Sequence, residues 1–192
     1  MEEQDLISRS KEGDVQAFNE LVERYERLVY NVVLRMMGDS AAAEDVTQDT
    51  FVSAYKAIGK FRGGNFKSWL LRIATNNCRD RFRSAQRSRA MSLDALMLQS
   101  EPPSLADDSE SPEDHALRRE LGQALNEGLR SLPPDQRLIV VLCDIQELSY
   151  EEASEAAGCS LGTVKSRLNR GRTRLRDFML TRRELLPAEF RL

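Results

Sequence analysis

The stretch 149–179 constrains the fold most, because it is typical of two helices joined by a sharp turn. Ser149, followed three residues later by Glu152, is the pattern of a capping box, which sets the start of the first helix. Gly158 is placed to end that helix, where a left-handed backbone conformation is needed. The second helix is predicted to begin near one of two residues, Gly162 or Thr163.

The second helix of this pair has two chemically different faces. One is an apolar seam that recurs at the helical period, made of Val164, Leu168, Gly171, Leu175 and Phe178. The opposite face is polar and carries Lys165, Ser166, Asn169, Arg170, Thr173 and Arg176. Three arginines lie along the flanks, namely Arg167, Arg172 and Arg174. The segment 163–176 contains six basic residues and no acidic one.

A helix of this kind suits the major groove of DNA. Its middle face can reach the edges of bases while the flanking arginines reach phosphates. The alternative is a basic helix that only faces solvent, and most runs of charge are of that kind. Solvent-facing helices usually mix both signs of charge, and this one does not, so DNA binding is favoured.

Composition limits the classes of protein that remain. The 192 residues suffice for one large domain or two small ones. The net charge of −3 is unlike that of a basic nucleic-acid binder, so any basic surface must be local. The single histidine, His115, argues against a histidine-based triad. The three cysteines lack the spacing of a metal site and are expected to act as small buried hydrophobes, namely Cys78, Cys143 and Cys159. With no signal peptide and no long apolar run, the chain is expected in the cytoplasm with reduced thiols and no membrane insertion of its own.

The first half of the chain opens with long helical patterns. Asp14 is placed to cap a helix running to about Met37, and the broad apolar stripe of that helix indicates a core position. Ser40 is expected to cap a second helix, 41–58, which turns one apolar side inward. The other side of this second helix carries an acidic and amide patch, made of Glu44, Asp45, Gln48, Asp49 and Val52.

A loop and a basic helix follow. The loop 61–66, FRGGNF, has paired glycines between two aromatic residues. A helix resumes near Lys67, and the apolar neighbours of Trp69 on it favour a core position over base stacking. Further on, arginines outweigh the single Asp80, namely Arg79, Arg81, Arg83, Arg87 and Arg89. This segment is predicted to form a second basic surface.

An acidic segment divides the chain. Residues 91–112 combine acidic residues, serines and prolines without one lysine or arginine, and so are predicted to form a flexible linker. They separate one helical domain, 1–90, from a second, 113–192, which holds the helix-turn-helix. No β pattern of useful length occurs. The predicted fold is therefore all-α, with two small helical domains joined by a flexible acidic linker.

Four sequence blocks, in their order, resemble the extracytoplasmic-function (ECF, group 4) sigma factors of bacterial RNA polymerase. They are AFNELVERYERLVYNVVLRM, AEDVTQDTFVSAYKAI, FRGGNFKSWLLRIATNNCRDRFR and LPPDQRLIVVLCDIQELSYEEASEAAGCSLGTVKSRLNRGRTRLR. The resemblance covers nearly the whole chain apart from the linker and the last dozen residues. The first half is similar to the second domain of that family and the latter half to its fourth. The resemblance implies a transcription-initiation subunit that uses no cofactor.

The resemblance also implies three binding surfaces and an additional partner. The helix beginning AEDVTQDTF would dock on the coiled coil of the polymerase beta-prime clamp through Asp45, Gln48, Asp49 and Val52. The FRGGNF loop and the next helix would hold the melted −10 element through Phe61, Phe66, Asn76, Asn77, Arg79, Asp80 and Arg83. The helix-turn-helix would contact the −35 element through Thr163, Lys165, Ser166, Arg167, Asn169, Arg170, Arg172 and Thr173. An anti-sigma factor is implied by the resemblance alone.

Two other functions fit parts of the sequence. A regulator that binds an operator would use the same helix-turn-helix with an N-terminal sensor or dimerisation domain. The second basic surface argues against it, because a sensor domain needs no such surface. A nucleic-acid enzyme would need paired carboxylates beside a nucleophile, or a glycine motif that cradles phosphate, and neither pattern is found. The chain is therefore predicted not to be an enzyme.

Overall fold

The computed structural model describes residues 2–91 and 112–182, with side chains described for 2–85 and 119–182. These residues form α-helices and no β-strand, which confirms the all-α fold class. The predicted linker lies outside the described residues except at its two ends, so its flexibility and the domain bounds stay predictions. The helices are α1 (Glu3–Lys11), α2 (Val15–Met37), α3 (Ser40–Ala57), α4 (Phe66–Met91), α5 (Pro112–Ser131), α6 (Pro134–Val140), α7 (Tyr150–Ala157) and α8 (Leu161–Leu180).

The ends of α2 follow the prediction from sequence. The Asp14 carboxylate accepts the backbone N–H groups of Gln16 (2.9 Å) and Ala17 (3.1 Å), which caps the helix. Gly38 ends it in the left-handed conformation, with φ of +76°. The cap predicted for α3 is wrong by one residue. Asp39, which caps helices as well as serine does, accepts the Ala42 N–H at 2.8 Å, and Ser40 is already the first helical residue.

Helix α1 was not predicted from the sequence. It is a helix of nine residues in which Leu6 and Ile7 are buried against α2. The Tyr25 hydroxyl of α2 donates a hydrogen bond to the Glu3 carboxylate and so ties the two helices together. A helix this short with so few apolar positions carries little periodic signal, because periodicity is judged over a window of roughly 11–18 residues.

The second unit consists of α5 to α8 and includes the predicted helix-turn-helix. The capping box is confirmed, with Glu152 N–H donating to Ser149 Oγ (3.1 Å) and Ser149 N–H donating to the Glu152 carboxylate (2.8 Å). Gly158 ends α7 with φ of +63°, also as predicted. Helix α8 begins at Leu161, slightly earlier than predicted, because Ser160 Oγ accepts the Thr163 N–H at 3.2 Å and caps it.

One hydrophobic core runs through both units. Its buried residues come from α1 to α4 and continue into α5 to α8. Helix α4 packs along α7, and α2 contacts α5 and α6. The sequence indicated two separate helical domains. Apolar periodicity locates the inward face of a helix without identifying what covers it, so a core shared between them was not predicted.

The contact between α8 and α6 depends on Gly171. A Cβ at this position would lie 2.7 Å from Val140 Cγ2 and 3.4 Å from the Gln136 carbonyl oxygen. We therefore expect Gly171→Ala to destabilise the protein by about 1–3 kcal/mol through overpacking, despite the better helix propensity of alanine.

The matched control is Gly122→Ala on α5, where no described atom lies within 4 Å of the added Cβ. We expect that change to be neutral or to stabilise by roughly 0.5–1 kcal/mol. Urea unfolding of the two variants and of the parent chain is the measurement. Equal stability of the two variants would show that α8 does not approach α6 as closely as described.

Candidate nucleic-acid and polymerase interfaces

Helix α8 presents the polar face predicted from its sequence. Val164 and Leu168 are buried in the core and Gly171 lies against α6, which fixes the rotation of the helix. The opposite side is therefore open to solvent, and five residues of the predicted −35 set are exposed there: Lys165, Ser166, Asn169, Arg170 and Thr173. Thr163 and Arg167 are half-buried.

Arg170 lies along its own helix. Its Nε donates to the Ser166 carbonyl (3.1 Å) and its Nη2 to the Ser166 hydroxyl (3.2 Å). Those bonds hold the guanidinium close to the exposed face at the level of the preceding turn. The Arg170 guanidinium is thereby held beside the Ser166 hydroxyl. Together the two side chains can offer hydrogen-bond donors and an acceptor to the same ligand.

The flanking arginines are all engaged by side chains of α6 and of the short π-helix that continues it, Val141–Ile145. Arg167 bonds to Asp135 at 2.6 Å, and Arg174 Nη1 bonds to the Gln136 side-chain oxygen at 3.3 Å. Arg172 makes a two-pronged contact with Asp144, at 3.0 and 2.5 Å, and these hydrogen bonds raise the pKa of its guanidinium. The sequence predicted phosphate contacts for this set. Each side chain would have to leave or share its present partner to reach a phosphate.

The FRGGNF loop is built differently from the expectation. Phe61 and Phe66 are only 4% and 2% exposed, so in this structure neither ring offers a face on which a base can stack. They form an aromatic cluster with Trp69, with ring centroids 5.2 to 5.6 Å apart. The physical reason is burial of apolar ring area, which outweighs exposing it at the tip of a loop. Trp69 belongs to this packing, as predicted.

The polar residues of α4 divide between solvent, α3 and the second unit. Asn76, Asp80 and Arg83 are exposed, and Arg83 pairs with Asp80 at 3.2 Å. Asn77 is half-buried and donates to the Thr50 hydroxyl at 3.3 Å. Arg79 is also half-buried and donates to the backbone carbonyl of Ala157 in α7, at 3.0 Å.

The acidic and amide patch on α3 faces solvent as a set. Its four predicted residues are all exposed, namely Asp45, Gln48, Asp49 and Val52. Arg81 of α4 lies 3.6 Å from the Asp45 carboxylate. The sequence analysis missed Tyr55, which is 40% exposed one turn after the 52%-exposed Val52. Its spacing of three residues from Val52 was the available signal.

Within the part of the chain that the structure describes, the cysteines and the acidic residues show no arrangement suited to catalysis or metal binding. Burial raises the pKa of Cys78 to about 12 and that of Cys143 to about 11, so both remain thiols at neutral pH. Within 2–91 and 112–182, no group of His, Cys, Asp and Glu side chains is arranged to hold a metal ion. In the same ranges no helix combines the length and apolarity needed to span a bilayer.

The two units match two separate parts of one protein family. Residues 21–88 match the family model described as Sigma-70 region 2, and residues 122–175 match that described as Sigma-70, region 4. The first match spans α3 and most of α2 and α4, and the second spans α6, α7 and most of α8. The candidate polymerase, −10 and −35 surfaces lie within these two matches.

Relatives of known identity resemble the chain over most of its length. It is 35% identical over 176 residues to the RNA polymerase sigma-H factor of Pseudomonas aeruginosa, covering 89% of this chain and 90% of that protein. It is 37% identical over 174 residues to the ECF RNA polymerase sigma-E factor of Escherichia coli K12, covering 88% and 90%. The ECF RNA polymerase sigma factor SigE of Mycolicibacterium smegmatis is 39% identical over 165 residues, but only 62% of its length is spanned.

Two solved structures share the fold across most of both chains. One is the sigma factor RpoE in complex with the anti-sigma factor NepR from Bartonella quintana, with a TM-score of 0.70, 27% identity and coverage of 84% of this chain and 96% of that one. The other is CnrH in complex with the cytosolic domain of CnrY, with a TM-score of 0.67, 27% identity and coverage of 92% and 96%. The match of the first unit to sigma region 2 disfavours the operator-binding regulator with a sensor domain. The chain belongs to the sigma-70 family, and within that family it is an ECF RNA polymerase sigma factor.

Proposed function

We propose that this protein is a non-enzymatic promoter-specificity subunit that joins core RNA polymerase in the cytoplasm and directs it to its own set of promoters. The observation that carries the proposal is the exposed basic face of α8 in a helix-turn-helix, within a chain whose other unit carries a second basic helix, α4. One DNA-binding face would suffice for an ordinary regulator. Two such faces suit recognition of two promoter elements.

The α3 patch is the proposed docking surface for the polymerase. Val52 and Tyr55 supply exposed apolar area, and the neighbouring Asp45, Gln48 and Asp49 supply polar contacts. An apolar centre with a polar rim is the common anatomy of a protein interface. The partner surface we propose is the coiled coil of the beta-prime clamp, whose helices can lie along α3.

The −35 element is the proposed target of α8. Lys165, Ser166, Asn169 and Arg170 would contact base edges, with Thr163 and Thr173 at the two ends of that face. Arg167 and Arg172 would contact phosphates by exchanging their present carboxylate partners for phosphate oxygens. Such an exchange replaces one charged pair by another, so it costs less than desolvating an unpaired arginine.

The melted −10 strand is the proposed ligand of α4. Asn76, Asp80 and Arg83 are accessible to it at once, and Asn77 and Arg79 border them on the same helix. The buried rings of Phe61 and Phe66 would support the FRGGNF loop from beneath. They would take a direct part only if this loop rearranges on the strand.

An anti-sigma factor is the proposed regulator. One of the solved structures described above is a sigma factor in complex with an anti-sigma factor, and the other is CnrH in complex with the cytosolic domain of CnrY. Their similarity to this chain spans both helical units, so an inhibitor of the same kind could reach surfaces on each. Co-purification of the chain from its host, followed by mass spectrometry, would identify such a partner.

Transcription in vitro tests the proposed function as a whole. Purified chain is added to core polymerase on a library of genomic promoter fragments, with core polymerase alone as the control. We expect a defined subset of fragments to yield transcripts that share two sequence elements upstream of their start sites. Failure to stimulate any transcript, while the chain still binds core polymerase, would contradict the proposal.

Reversing charge on the α3 patch should weaken polymerase binding without unfolding the chain. We expect Asp49→Arg to lower affinity for core polymerase by roughly tenfold or more, because a repulsive charge would then face the docking surface. The fold should survive, since Asp49 is exposed and packs against nothing in the core. The control is Glu26→Arg, the same charge change at an exposed position of α2. A core-binding titration beside a thermal melt gives the answer, and equal affinities for the two variants would move the docking surface elsewhere.

The roles along α8 can be separated by two substitutions. We expect Arg170→Ala to relax sequence preference at one or two positions of the −35 element, with a loss of about 1–3 kcal/mol of discrimination. We expect Arg172→Ala to weaken binding to all sequences equally. It should also lower the slope of log affinity against log salt concentration by about one released ion. The measurement is binding of the holoenzyme to a randomised −35 library at two salt concentrations.

Arg172 needs a further control because it also holds Asp144. Asp144→Asn keeps the arginine and removes the charge of its intramolecular partner. That variant should bind DNA at least as tightly as the parent. If Arg170→Ala lowers the affinity for all sequences equally and leaves the preference for the −35 sequence unchanged, the proposed base contact by Arg170 is wrong.

A further inference from the structure

Helix α1 lies outside both family matches, which cover residues 21–88 and 122–175. It is nevertheless folded onto the first unit, with Leu6 and Ile7 buried against α2. It also contacts Ile58–Lys60, the 3₁₀ turn that leads into the FRGGNF loop. The helix is therefore located at the end of the proposed −10 surface that this loop forms.

Two contacts of α1 lead to the aromatic residues at the two ends of the loop. Lys11 Nζ lies 5.4 Å from the centroid of the Phe61 ring, a distance at which a cation is attracted to a ring face. Glu3 accepts a hydrogen bond from the Tyr25 hydroxyl, and the Tyr25 ring centroid lies 5.5 Å from that of Phe66. Since Phe61 and Phe66 begin and end the loop, α1 restrains its position at both ends.

The tip of the loop between those ends is bare. Gly63 and Gly64 have φ values of +93° and +95°, a conformation that favours glycine. No described atom lies within 4 Å of a Cβ added at either position. Neither backbone N–H donates a hydrogen bond to a residue in the part of the chain that the structure describes. A strand can approach this backbone closely, and its phosphate oxygens are suitable acceptors for the two N–H groups.

The loop also lies in a stretch of the chain that carries positive charge only. The segment 50–79 contains six basic residues and no acidic one. Lys60 and Arg62 flank Phe61 and are exposed, and Lys11 adds a third exposed cation over the same ring. Within 2–91 and 112–182, the side chains of Lys60 and Arg62 form no ion pair and no hydrogen bond. Both charges are therefore available to a ligand.

These cations differ from the flanking arginines of α8, which are paired with protein side chains. The aspartates of α1 and of the turn after it, Asp5 and Asp14, lie 3.7 and 2.6 Å from Arg9 and pair with it. Lys60 and Arg62 have no such partner to release. Binding of a phosphate to them displaces counterions only, and that release favours binding.

We propose that Lys11, Lys60 and Arg62 form, with the glycine tip, a surface that binds the sugar–phosphate backbone of single-stranded DNA. Helix α1 contributes Lys11 and holds the loop in place for this role. The identification of the strand as the melted −10 region rests on the proposed function, whereas the affinity for a single strand does not. At 1.5 Å per residue, the start of α4 lies roughly 15 Å from Asn76 and about 25 Å from Arg83. The phosphates bound here therefore belong to nucleotides beyond those proposed to contact the polar face of α4.

Binding of oligothymidylate by the full chain, without polymerase, tests the surface. We expect Lys11→Ala, Lys60→Ala and Arg62→Ala each to weaken this binding. Each should also lower the slope of log affinity against log salt concentration by about 0.7, the value for one phosphate contact on a single strand. The loss of affinity should then be roughly 2.5-fold larger at about 50 mM than at about 200 mM salt.

Two further variants are the controls. Arg27→Ala removes a positive charge at an exposed position of α2 and should bind oligothymidylate as the parent chain does. Lys11→Arg keeps the charge and the cation–π contact and should also bind as the parent does, which separates the charge of Lys11 from its packing. A thermal melt of each variant checks the fold. If Lys60→Ala and Arg62→Ala bind oligothymidylate as Arg27→Ala does, the proposed surface is wrong.

An oligomer of abasic deoxyribose phosphate, of the same length, separates phosphate contacts from base contacts. We expect the three alanine variants to show the same losses of affinity on it as on oligothymidylate. A loss seen with oligothymidylate alone would show that the loop binds bases, and the proposed backbone contact would be overturned.

The −10 assignment is tested with the holoenzyme on a responsive promoter. We expect Lys60→Ala and Arg62→Ala to slow open-complex formation while the affinity for core polymerase is unchanged. Weaker binding to core polymerase with unchanged binding to oligothymidylate would show that these cations contact the polymerase, which would contradict the proposal. Failure of the proposed function is distinct, because the chain would then bind single strands as expected yet support no transcription with core polymerase.

Discussion

The contact on which the rest of the structure depends is the burial of the Arg137 guanidinium among backbone carbonyls of two helical units. Removing a charge from water is costly unless strong hydrogen bonds replace the lost hydration. Here three carbonyl oxygens serve that purpose, one in the last turn of α2 and two around the end of α5. Together with the shared core and the packing of α4 on α7, this side chain fixes the position of the second unit against the first.

Charged side chains are paired in a similar way on the helices proposed to bind DNA. The chain has a net charge of −3, yet its basic residues are concentrated on α4 and α8. Asp135 and Asp144 occupy arginines of α8 in the free chain, and each pair is partly exposed to solvent. Exposed pairs of this kind are weak and screened by salt. In the proposed function, a DNA backbone with its dense negative charge would displace them, so that the two aspartates would compete with the promoter for the arginines of α8.

Local features of the fold could be predicted from the sequence because their signals lie within four residues. Asp14, Ser149 and Gly158 each cap the nearest helix end, and all three act as predicted. The cap of α3 was misplaced by one residue, to Ser40, because Asp and Ser are equally good caps and they are adjacent. The polar face of α8 was predicted from its periodicity, and its buried seam confirms which side faces inward.

The features that were missed depend on pairs far apart in the chain. The bond from Arg137 to Met36 spans 101 residues and that from Arg79 to Ala157 spans 78. No periodicity or capping rule addresses such separations, so the packing of α4 on α7 could not be foreseen. Burial of Phe61 and Phe66 was missed for the same reason, since their partners include Tyr25 of α2 as well as Trp69. For the same reason, the sequence could not show that Asp135 and Asp144 would pair with arginines of α8.

The central claim is that the two helical units act on two separated promoter elements. The most direct measurement is the distance between labels on α4 and α8, in the free chain and in the holoenzyme bound to a promoter. Noncanonical amino acids at the exposed positions Ser84 and Arg176 allow labelling without disturbing the native cysteines. We expect one short distance in the free chain and a separation larger by several tens of ångströms on the promoter, since the two elements lie roughly 85 Å apart. A distance that stays short in an active promoter complex would contradict it.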